Sequence, residues 1–153
     1  MKILNSILIL ILFLGISACK DTSTYQVDQP EVNQPESGKS TVIGSVFSTT
    51  TDAPLSNVDI RLAEVVRVED RPDVGNGLYV LDQAFSPGAV TDENGSFVVE
   101  DTEAKEYVII IGDVERAYEV IVNESGKPKV WKAIPDQILN VGELRVGLSR
   151  ADF

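Results

Sequence analysis

The chain has 153 residues, 43% of them hydrophobic and 24% charged, a balance typical of one globular domain with additional segments. It carries 24 Asp and Glu against 13 Lys and Arg, and this acidic excess argues against a nucleic-acid partner because phosphate backbones are also negative. It has no histidine and one cysteine, which excludes Ser-His-Asp and Cys-His nucleophile systems and the usual zinc sites. No cofactor is expected.

The first segment is an apolar run without charged residues from Ile3 to Ala18, preceded by Lys2. In helical form this run would rise about 24 Å, which falls short of the roughly 30 Å hydrocarbon core of a bilayer. A basic start, a short apolar stretch and small residues at its end are typical of a signal peptide. The sequence therefore predicts a cleaved signal peptide over residues 1–18 and not a membrane-spanning helix.

The single cysteine, Cys19, follows Ile16-Ser17-Ala18, and this order of an aliphatic residue, two small residues and cysteine resembles the bacterial lipobox. The resemblance implies that the Cys19 thiol receives a diacylglycerol and that the new N-terminus is acylated, for example with palmitate. The alternative is an ordinary cleavage site before an incidental cysteine, but Ile16 is bulky where such a site favours a small residue. A lipidated Cys19 would hold the protein outside the cytoplasm, on the cell membrane or the outer membrane.

Residues 19–40 are predicted to form a flexible spacer that begins at the lipidated cysteine. The stretch from Lys20 to Lys39 is rich in Asp, Glu, Gln, Ser and Thr, contains two prolines and has few apolar residues. Such a composition cannot bury enough surface to offset the entropy lost on ordering. As a flexible coil it would span on the order of 25 Å.

The remaining residues, 41–153, contain short β-rich runs separated by turn signals and no sustained helical stripe. The run Tyr107–Ile111 is apolar on both faces, which predicts a central strand covered on both sides. The turn Asp92–Gly95 is predicted to close a hairpin. We expect an all-β fold, an antiparallel Ig-like β-sandwich of about seven strands. The candidates for these strands are Thr41–Phe47, Val58–Leu62, Leu78–Ala84, Ala89–Thr91, Ser96–Glu100, Glu106–Ile111, Tyr118–Val122, Lys129–Ala133 and Leu139–Val146.

Four segments of this domain share a pattern of glycines, turn residues and apolar residues: Gly44–Val46, Ala53–Ile60, Thr91–Phe97 and Tyr107–Ile109. They resemble the carboxypeptidase regulatory-like domains, transthyretin-like sandwiches also called peptidase-associated domains, in which T-D-x-x-G-x-F is the most specific part. Asn57 and Lys105 stand where that pattern usually has glycine, and the segment from Leu62 to Ala89 is longer than usual. The resemblance implies a non-catalytic module that aids folding, assembly or binding.

Carboxylates are the main candidates for chemistry because histidine is absent. Adjacent pairs occur at Glu69-Asp70, Asp92-Glu93 and Glu100-Asp101. Neighbours on a strand point to opposite faces and turn residues are usually solvated, which disfavours the facing pair that a glycosidase needs. Aligned on an EF-hand loop, the Asp92–Gly95 turn lacks the first oxygen ligand. The polar loop Arg67–Gly77 is a candidate binding loop, and its acidic part Glu69–Asp73 could hold a weak calcium ion, although a solvated loop is the simpler interpretation. A small carboxylate-based hydrolase, which would need two carboxyls that face each other across a pocket, is the least favoured function, and we expect no enzyme.

Two binding functions remain. The first is a membrane-anchored bacterial lipoprotein that binds or assembles with a protein in the cell envelope, which an exposed strand or apolar patch would support. The second is a carbohydrate-binding surface lipoprotein in which Trp131 lies exposed beside Tyr118 and stacks on sugars. A lone tryptophan in a small β domain is more often partly buried, and this favours the first function.

Overall fold

The structure, a computed structural model, describes residues 32–67, 78–149 and 152. The predicted signal peptide, Cys19 and the first part of the predicted spacer lie outside the described residues, and so does the acidic stretch Glu69–Asp73. Within the described ranges, no helix is long and apolar enough to cross a membrane.

The described part of the chain contains nine strands, where about seven were expected, and each candidate segment contributes one. The prediction of an all-β sandwich is confirmed. The first strand begins at Lys39, so the last two residues of the predicted spacer belong to it. The strands are β1 (Lys39–Ser48), β2 (Asp59–Val66), β3 (Leu78–Val80), β4 (Gly88–Val90), β5 (Ser96–Glu103), β6 (Glu106–Asp113), β7 (Ala117–Val120), β8 (Val130–Lys132) and β9 (Gln137–Val146).

The strands form two sheets with the core between them. One sheet has the order β5-β1-β9, and the other has the order β3-β2-β6-β7 with β4 beside β2 and β8 beside β6. β1 and β9 run parallel, whereas the other described strand pairs are antiparallel. The expectation of a purely antiparallel sandwich is wrong at the β1–β9 pair, because hydrophobic alternation predicts a strand but not its direction.

The core takes side chains from both sheets, and β6 is buried on both faces. Ile109 and Ile111 point into the core between the sheets, where they are 1% and 0% exposed. Val108 and Ile110, which alternate with them, are 1% and 3% exposed on the outer side of the sheet. The prediction of a central strand covered on both sides is confirmed.

The segment Thr91–Phe97 fastens the turn before β5 to the loop before β2. The Thr91 hydroxyl donates to the carbonyl oxygen of Leu55 at 2.7 Å and accepts from the amide of Val58 at 2.9 Å. A Cβ on Gly95 would lie 2.5 Å from the carbonyl oxygen of Val46, so this close approach requires glycine. The most distinctive motif of the sequence is thus used for packing.

The prediction that the turn Asp92–Gly95 closes a hairpin is wrong. β4 before the turn pairs with β2, whereas β5 after it pairs with β1 in the other sheet. The Asp92 carboxylate accepts from the amides of Asn94 and Ser96, both at 2.8 Å. The turn therefore carries the chain from one sheet to the other, a distinction that local turn chemistry does not encode.

The long segment from Leu62 to Ala89 widens the six-stranded sheet. β3 pairs with Glu64–Val66 and β4 pairs with Asp59–Arg61, so both short strands lie along the same edge of β2. The predicted strand Leu78–Ala84 ends earlier, at Val80, because the chain enters a turn soon afterwards.

Candidate functional site

The short edge strand β3 presents its side chains to two different surfaces. Leu78, Tyr79 and Val80 are 56%, 42% and 52% exposed, so the strand is apolar and uncovered. Successive side chains of a strand point to opposite faces. Accordingly, Val80 lines a groove on the core side of the sheet and Tyr79 lines a cleft on its outer side.

The turn that follows β3 holds Phe85 in solvent, where the residue is 85% exposed. The Asp82 carboxylate accepts from the amides of Ala84 at 2.9 Å and Phe85 at 3.2 Å. The Ser86 amide donates to the carbonyl oxygen of Asp82 at 2.8 Å, and the Ser86 hydroxyl accepts from the Asp82 amide at 2.9 Å. These bonds fix the backbone that carries the exposed aromatic ring, so the position of Phe85 Cα beside the groove is set by the turn.

The groove beside this turn, here called the Phe85 groove, has a volume of about 490 Å³. Its apolar wall is formed by Leu62, Val66, Val80, Phe85, Pro87 and Tyr107. Its rim carries four acidic and two basic side chains, Glu64, Asp82, Asp101, Glu103, Lys39 and Lys105. An apolar wall with an acidic rim is complementary to an apolar side chain flanked by basic residues.

Lys105 organises the charge at one side of the Phe85 groove. Its Nζ lies 2.7 Å from a carboxylate oxygen of Glu103 and 2.9 Å from one of Glu64. The hydrogen bonds to these carboxylates raise the pKa of Lys105, and the bond from Lys105 lowers the pKa of Glu103. Burial raises the pKa of Tyr107 to about 12. All three shifts move these pKa values away from neutral pH, so none of the three groups changes its protonation state near pH 7.

The cleft on the outer face, here called the Tyr118 cleft, consists of two adjoining pockets. The larger, of about 290 Å³, is lined by Tyr79, Leu81, Gln83, Ile110, Val114 and Tyr118. The smaller, of about 150 Å³, shares Leu81, Gln83 and Val114 with it. The residues that line only the smaller pocket are Asp59, Arg61, Gly112, Asp113 and Glu115. An aromatic pocket therefore opens beside a polar one.

The predicted sugar platform of Trp131 beside Tyr118 is wrong. Trp131 is 9% exposed and belongs to the core, where it pairs with Tyr107 across β6 and β8. Lys129 covers its ring, with Nζ 4.8 Å from the ring centroid. Tyr118 is 50% exposed and lines the cleft on the other side of the same sheet. The interpretation of Trp131 as a core residue is confirmed.

The adjacent carboxylate pairs singled out from the sequence do not face each other across a pocket. Asp92-Glu93 lies exposed in a turn, Glu100-Asp101 lies exposed along β5, and Glu69-Asp70 is outside the described residues. The structure instead gathers carboxylates from distant positions around the smaller pocket, namely Asp59, Asp113 and Glu115. In the described ranges, no group of three acidic or cysteine side chains is arranged to hold a metal ion.

Sequence reasoning missed Phe85 and Tyr79. A signal for Phe85 was present, because an aromatic residue between Asp82 and Ser86-Pro87 stands among residues typical of turns and is therefore expected at the surface. Tyr79 gave no such signal. Its strand is short, and the face on which a side chain lies depends on the register with β2.

No protein-family model and no curated protein matches this sequence. Solved structures with similar β-sheet regions include the 9R-lipoxygenase of Cyanothece, with 17% identity and a TM-score of 0.41 over 78% of this chain. The major pilin subunit BcpA of Bacillus cereus has 15% identity and a TM-score of 0.42 over 70% of this chain. The chain spans 18% of that lipoxygenase and 29% of that pilin.

A Pseudomonas aeruginosa protein described as a candidate carbohydrate-binding protein is covered over its full length, 100%, by 78% of this chain. The identity is 17% and the TM-score is 0.39. None of these likenesses carries a functional argument. The resemblance to carboxypeptidase regulatory-like domains stays a prediction.

Proposed function

We propose that this protein is a non-catalytic, lipid-anchored binding module of a bacterial cell envelope, which holds a protein partner in the Phe85 groove. The observation that carries the proposal is Phe85, which is 85% exposed on a hydrogen-bonded turn beside an apolar groove. Rigid aromatic side chains supply much of the affinity of protein interfaces, because they bury a large area at a small entropic cost.

The apolar surface continues from Phe85 along the edge of the sheet. Val66, Leu78 and Val80 are 41%, 56% and 52% exposed, and Val66 and Val80 line the groove itself. Contiguous exposed apolar side chains with a polar rim are typical of a protein-binding surface. This is the kind of patch that favours an assembly or binding module over an isolated domain.

The charge of the groove indicates the chemistry of the partner. Four carboxylates and two amines surround the apolar wall, and the whole chain has a formal charge of −11. A partner segment with an apolar side chain between Lys or Arg residues would complement this rim. The same acidity opposes insertion of Phe85 into an anionic lipid surface, since both carry negative charge.

The anchor is supported by the sequence around Cys19. A signal peptide over residues 1–18, a lipobox that ends at Cys19 and a polar spacer to residue 40 would place the domain on the order of 25 Å from the membrane. Two or three acyl chains on one cysteine are sufficient for stable membrane residence. The groove would then meet a partner in the same envelope compartment.

The groove is tested by comparing co-purification from native envelopes for wild type, Phe85→Ser and Val122→Ser. Val122 is a matched control because it is 51% exposed and apolar but lies next to β7, away from the groove. We expect a partner that wild type and Val122→Ser retain equally and that Phe85→Ser retains at least about tenfold less. A partner that stays with Phe85→Ser, or that both variants lose, would contradict the proposal.

The anchor is tested separately with Cys19→Ala. We expect wild type in the membrane fraction and the variant in soluble or uncleaved form. Mass spectra of wild type should show a mature N-terminus that carries acyl chains on Cys19. Cys19→Ser is a second, more conservative test of the anchor, because it replaces the thiol with a hydroxyl of similar size. Membrane retention of both variants as a cleaved protein would refute the lipid anchor and leave the groove untouched.

A further inference from the structure

We infer that the Tyr118 cleft is a second binding site, which takes a neutral oligosaccharide. Tyr79 and Tyr118 line its larger pocket and are 42% and 50% exposed, while Ile110 beneath them is 3% exposed. Half-exposed aromatic rings above an apolar floor are surfaces on which the C–H faces of pyranose rings stack. The predicted tryptophan platform is absent, but the same chemistry occurs at these two tyrosines.

The arrangement of the strands favours a chain of sugars over a single ring. Tyr79 belongs to β3 and Tyr118 to β7, which lie on opposite sides of the β2–β6 pair. Three strand spacings, about 14 Å, separate β3 from β7 across the sheet, and Tyr118 lies about six residues, or roughly 20 Å, from Tyr79 along the strand direction. The pocket volume of about 290 Å³ lies just below the range of ligand pockets, which is about 300–1,000 Å³. A ligand that contacts both rings and also reaches the adjoining polar pocket would extend beyond this pocket, as an oligosaccharide does.

The adjoining polar pocket supplies the groups that hydroxyls require. Gln83 can donate and accept, and the Arg61 guanidinium is positioned by a 3.4 Å hydrogen bond from Nη1 to the carbonyl oxygen of Ser86. Asp59 and Glu115 are exposed carboxylates on the same pocket. Sugar hydroxyls can donate to carboxylates and accept from the amide and guanidinium at once, which suits this mixed set.

The net negative charge of the smaller pocket favours neutral sugars over acidic ones. Three carboxylates and one guanidinium line the smaller pocket, so an acidic sugar such as a uronate would be repelled. A quaternary ammonium ligand is the main competitor, because tyrosines and carboxylates also attract cations. The ammonium group itself cannot accept a hydrogen bond from Arg61 or Gln83, whereas every ring of an oligosaccharide carries several hydroxyls that can, and this favours the neutral oligosaccharide.

The site lies on the opposite face of the sheet from the Phe85 groove, since β3 directs Tyr79 and Val80 to opposite faces. The test uses the full chain and titration calorimetry with cellohexaose, maltohexaose, an oligogalacturonate and choline. We expect at least one neutral oligosaccharide to bind and to be recovered intact. We expect Tyr118→Ala and Tyr79→Ala each to weaken binding about tenfold, and Tyr118→Phe, which keeps the ring, to bind as wild type does.

Phe85→Ser is the matched control, because it removes an exposed aromatic ring outside the cleft and should leave oligosaccharide affinity unchanged. The same variant separates the two proposals. If Phe85→Ser loses the protein partner and keeps its oligosaccharide affinity, the loss is assigned to the Phe85 groove and not to the Tyr118 cleft. Absence of binding by both neutral oligosaccharides, equal binding of the oligogalacturonate or choline, cleavage of the sugar, or unchanged affinity of Tyr118→Ala would each overturn the site.

Discussion

Asn57 and Thr91 meet at the point where the loop before β2 contacts the turn before β5. The amide of Asn57 donates to the carbonyl oxygen of Thr91 at 2.9 Å, and Asn57 has a φ of 60°. Asparagine tolerates this left-handed region better than most residues with a side chain, so Asn57 can stand where the resembled pattern has glycine. Lys105, the other departure, has no positive φ and needs no glycine. Both departures are compatible with the fold.

The first prediction concerns Thr91, whose hydroxyl bridges two backbone groups in a residue that is 5% exposed. Thr91→Val keeps the shape but leaves the carbonyl of Leu55 and the amide of Val58 without that partner. We expect the free energy of unfolding to fall by about 2–4 kcal/mol, measured by urea denaturation. Thr102→Val is the control, because Thr102 is equally buried but its hydroxyl makes only one bond of 3.4 Å. An equal loss in both variants would contradict the bridging role.

At the scale of elements, the connection between β5 and β6 combines an exposed charge cluster with a buried phenol. The Tyr107 hydroxyl donates to the carbonyl oxygen of Glu103 at 3.0 Å, and the side chain is 3% exposed. Burial is the main cause that raises its pKa from 10.0 to about 12, because ionisation would place a charge in the core. The start of β6 is therefore tied to the protonated form of this residue.

The second prediction follows from the sign of that shift. Because the folded pKa exceeds the unfolded one, the contribution of Tyr107 to stability is complete below pH 10 and is lost as the pH rises from 10 to about 12. The melting temperature of Tyr107→Phe should fall less steeply than that of wild type over this window. Tyr118→Phe, at a half-exposed ring outside the core, should keep the wild-type slope. Identical slopes for all three proteins would show that Tyr107 is not the responsible group.

The same elements show what a sequence can predict. Each of the nine candidate strands was found because alternation of apolar and polar residues records burial on one face of a sheet. The parallel direction of β9 against β1 and the change of sheet between β4 and β5 were missed, since both depend on contacts between segments far apart in sequence. Local patterns therefore predict that a strand exists, and tertiary contacts decide where it pairs.

At the scale of the whole molecule, the sequence could predict the candidate lipid attachment site at Cys19 but neither of the two candidate binding sites. The lipobox is a contiguous motif, so its residues could be named directly. The Tyr118 cleft joins residues from β2, β3, β6 and β7 and from the loops after β3 and β6, and the Phe85 groove joins residues from Lys39 to Tyr107. Such sites exist only after the chain has folded, because no short stretch contains more than a few of their residues.

The last prediction locates the boundary between spacer and domain. Of the described residues before Glu36, Asn33 makes a side-chain hydrogen bond, from Nδ2 to an exposed Glu100 carboxylate at 3.5 Å. The free energy of unfolding of a chain that starts at Glu36 should therefore differ by no more than about 0.5 kcal/mol from that of a chain that starts at Lys20. A chain that starts at Thr41 loses Ser40, which is 0% exposed and donates from its hydroxyl to the carbonyl oxygen of Gln137 at 2.8 Å.

That shorter chain also loses the first pairings of β1, Lys39 with Glu103 and Ser40 with Thr102. We expect it to be destabilised by about 1–3 kcal/mol, since the backbone and hydroxyl partners of Ser40 become unpaired at a buried position. Thermal and urea unfolding of the three chains would measure the difference. Equal stability of all three would place the boundary at residue 41, as the composition alone suggests, whereas a loss at the Glu36 start would assign part of the spacer to the fold.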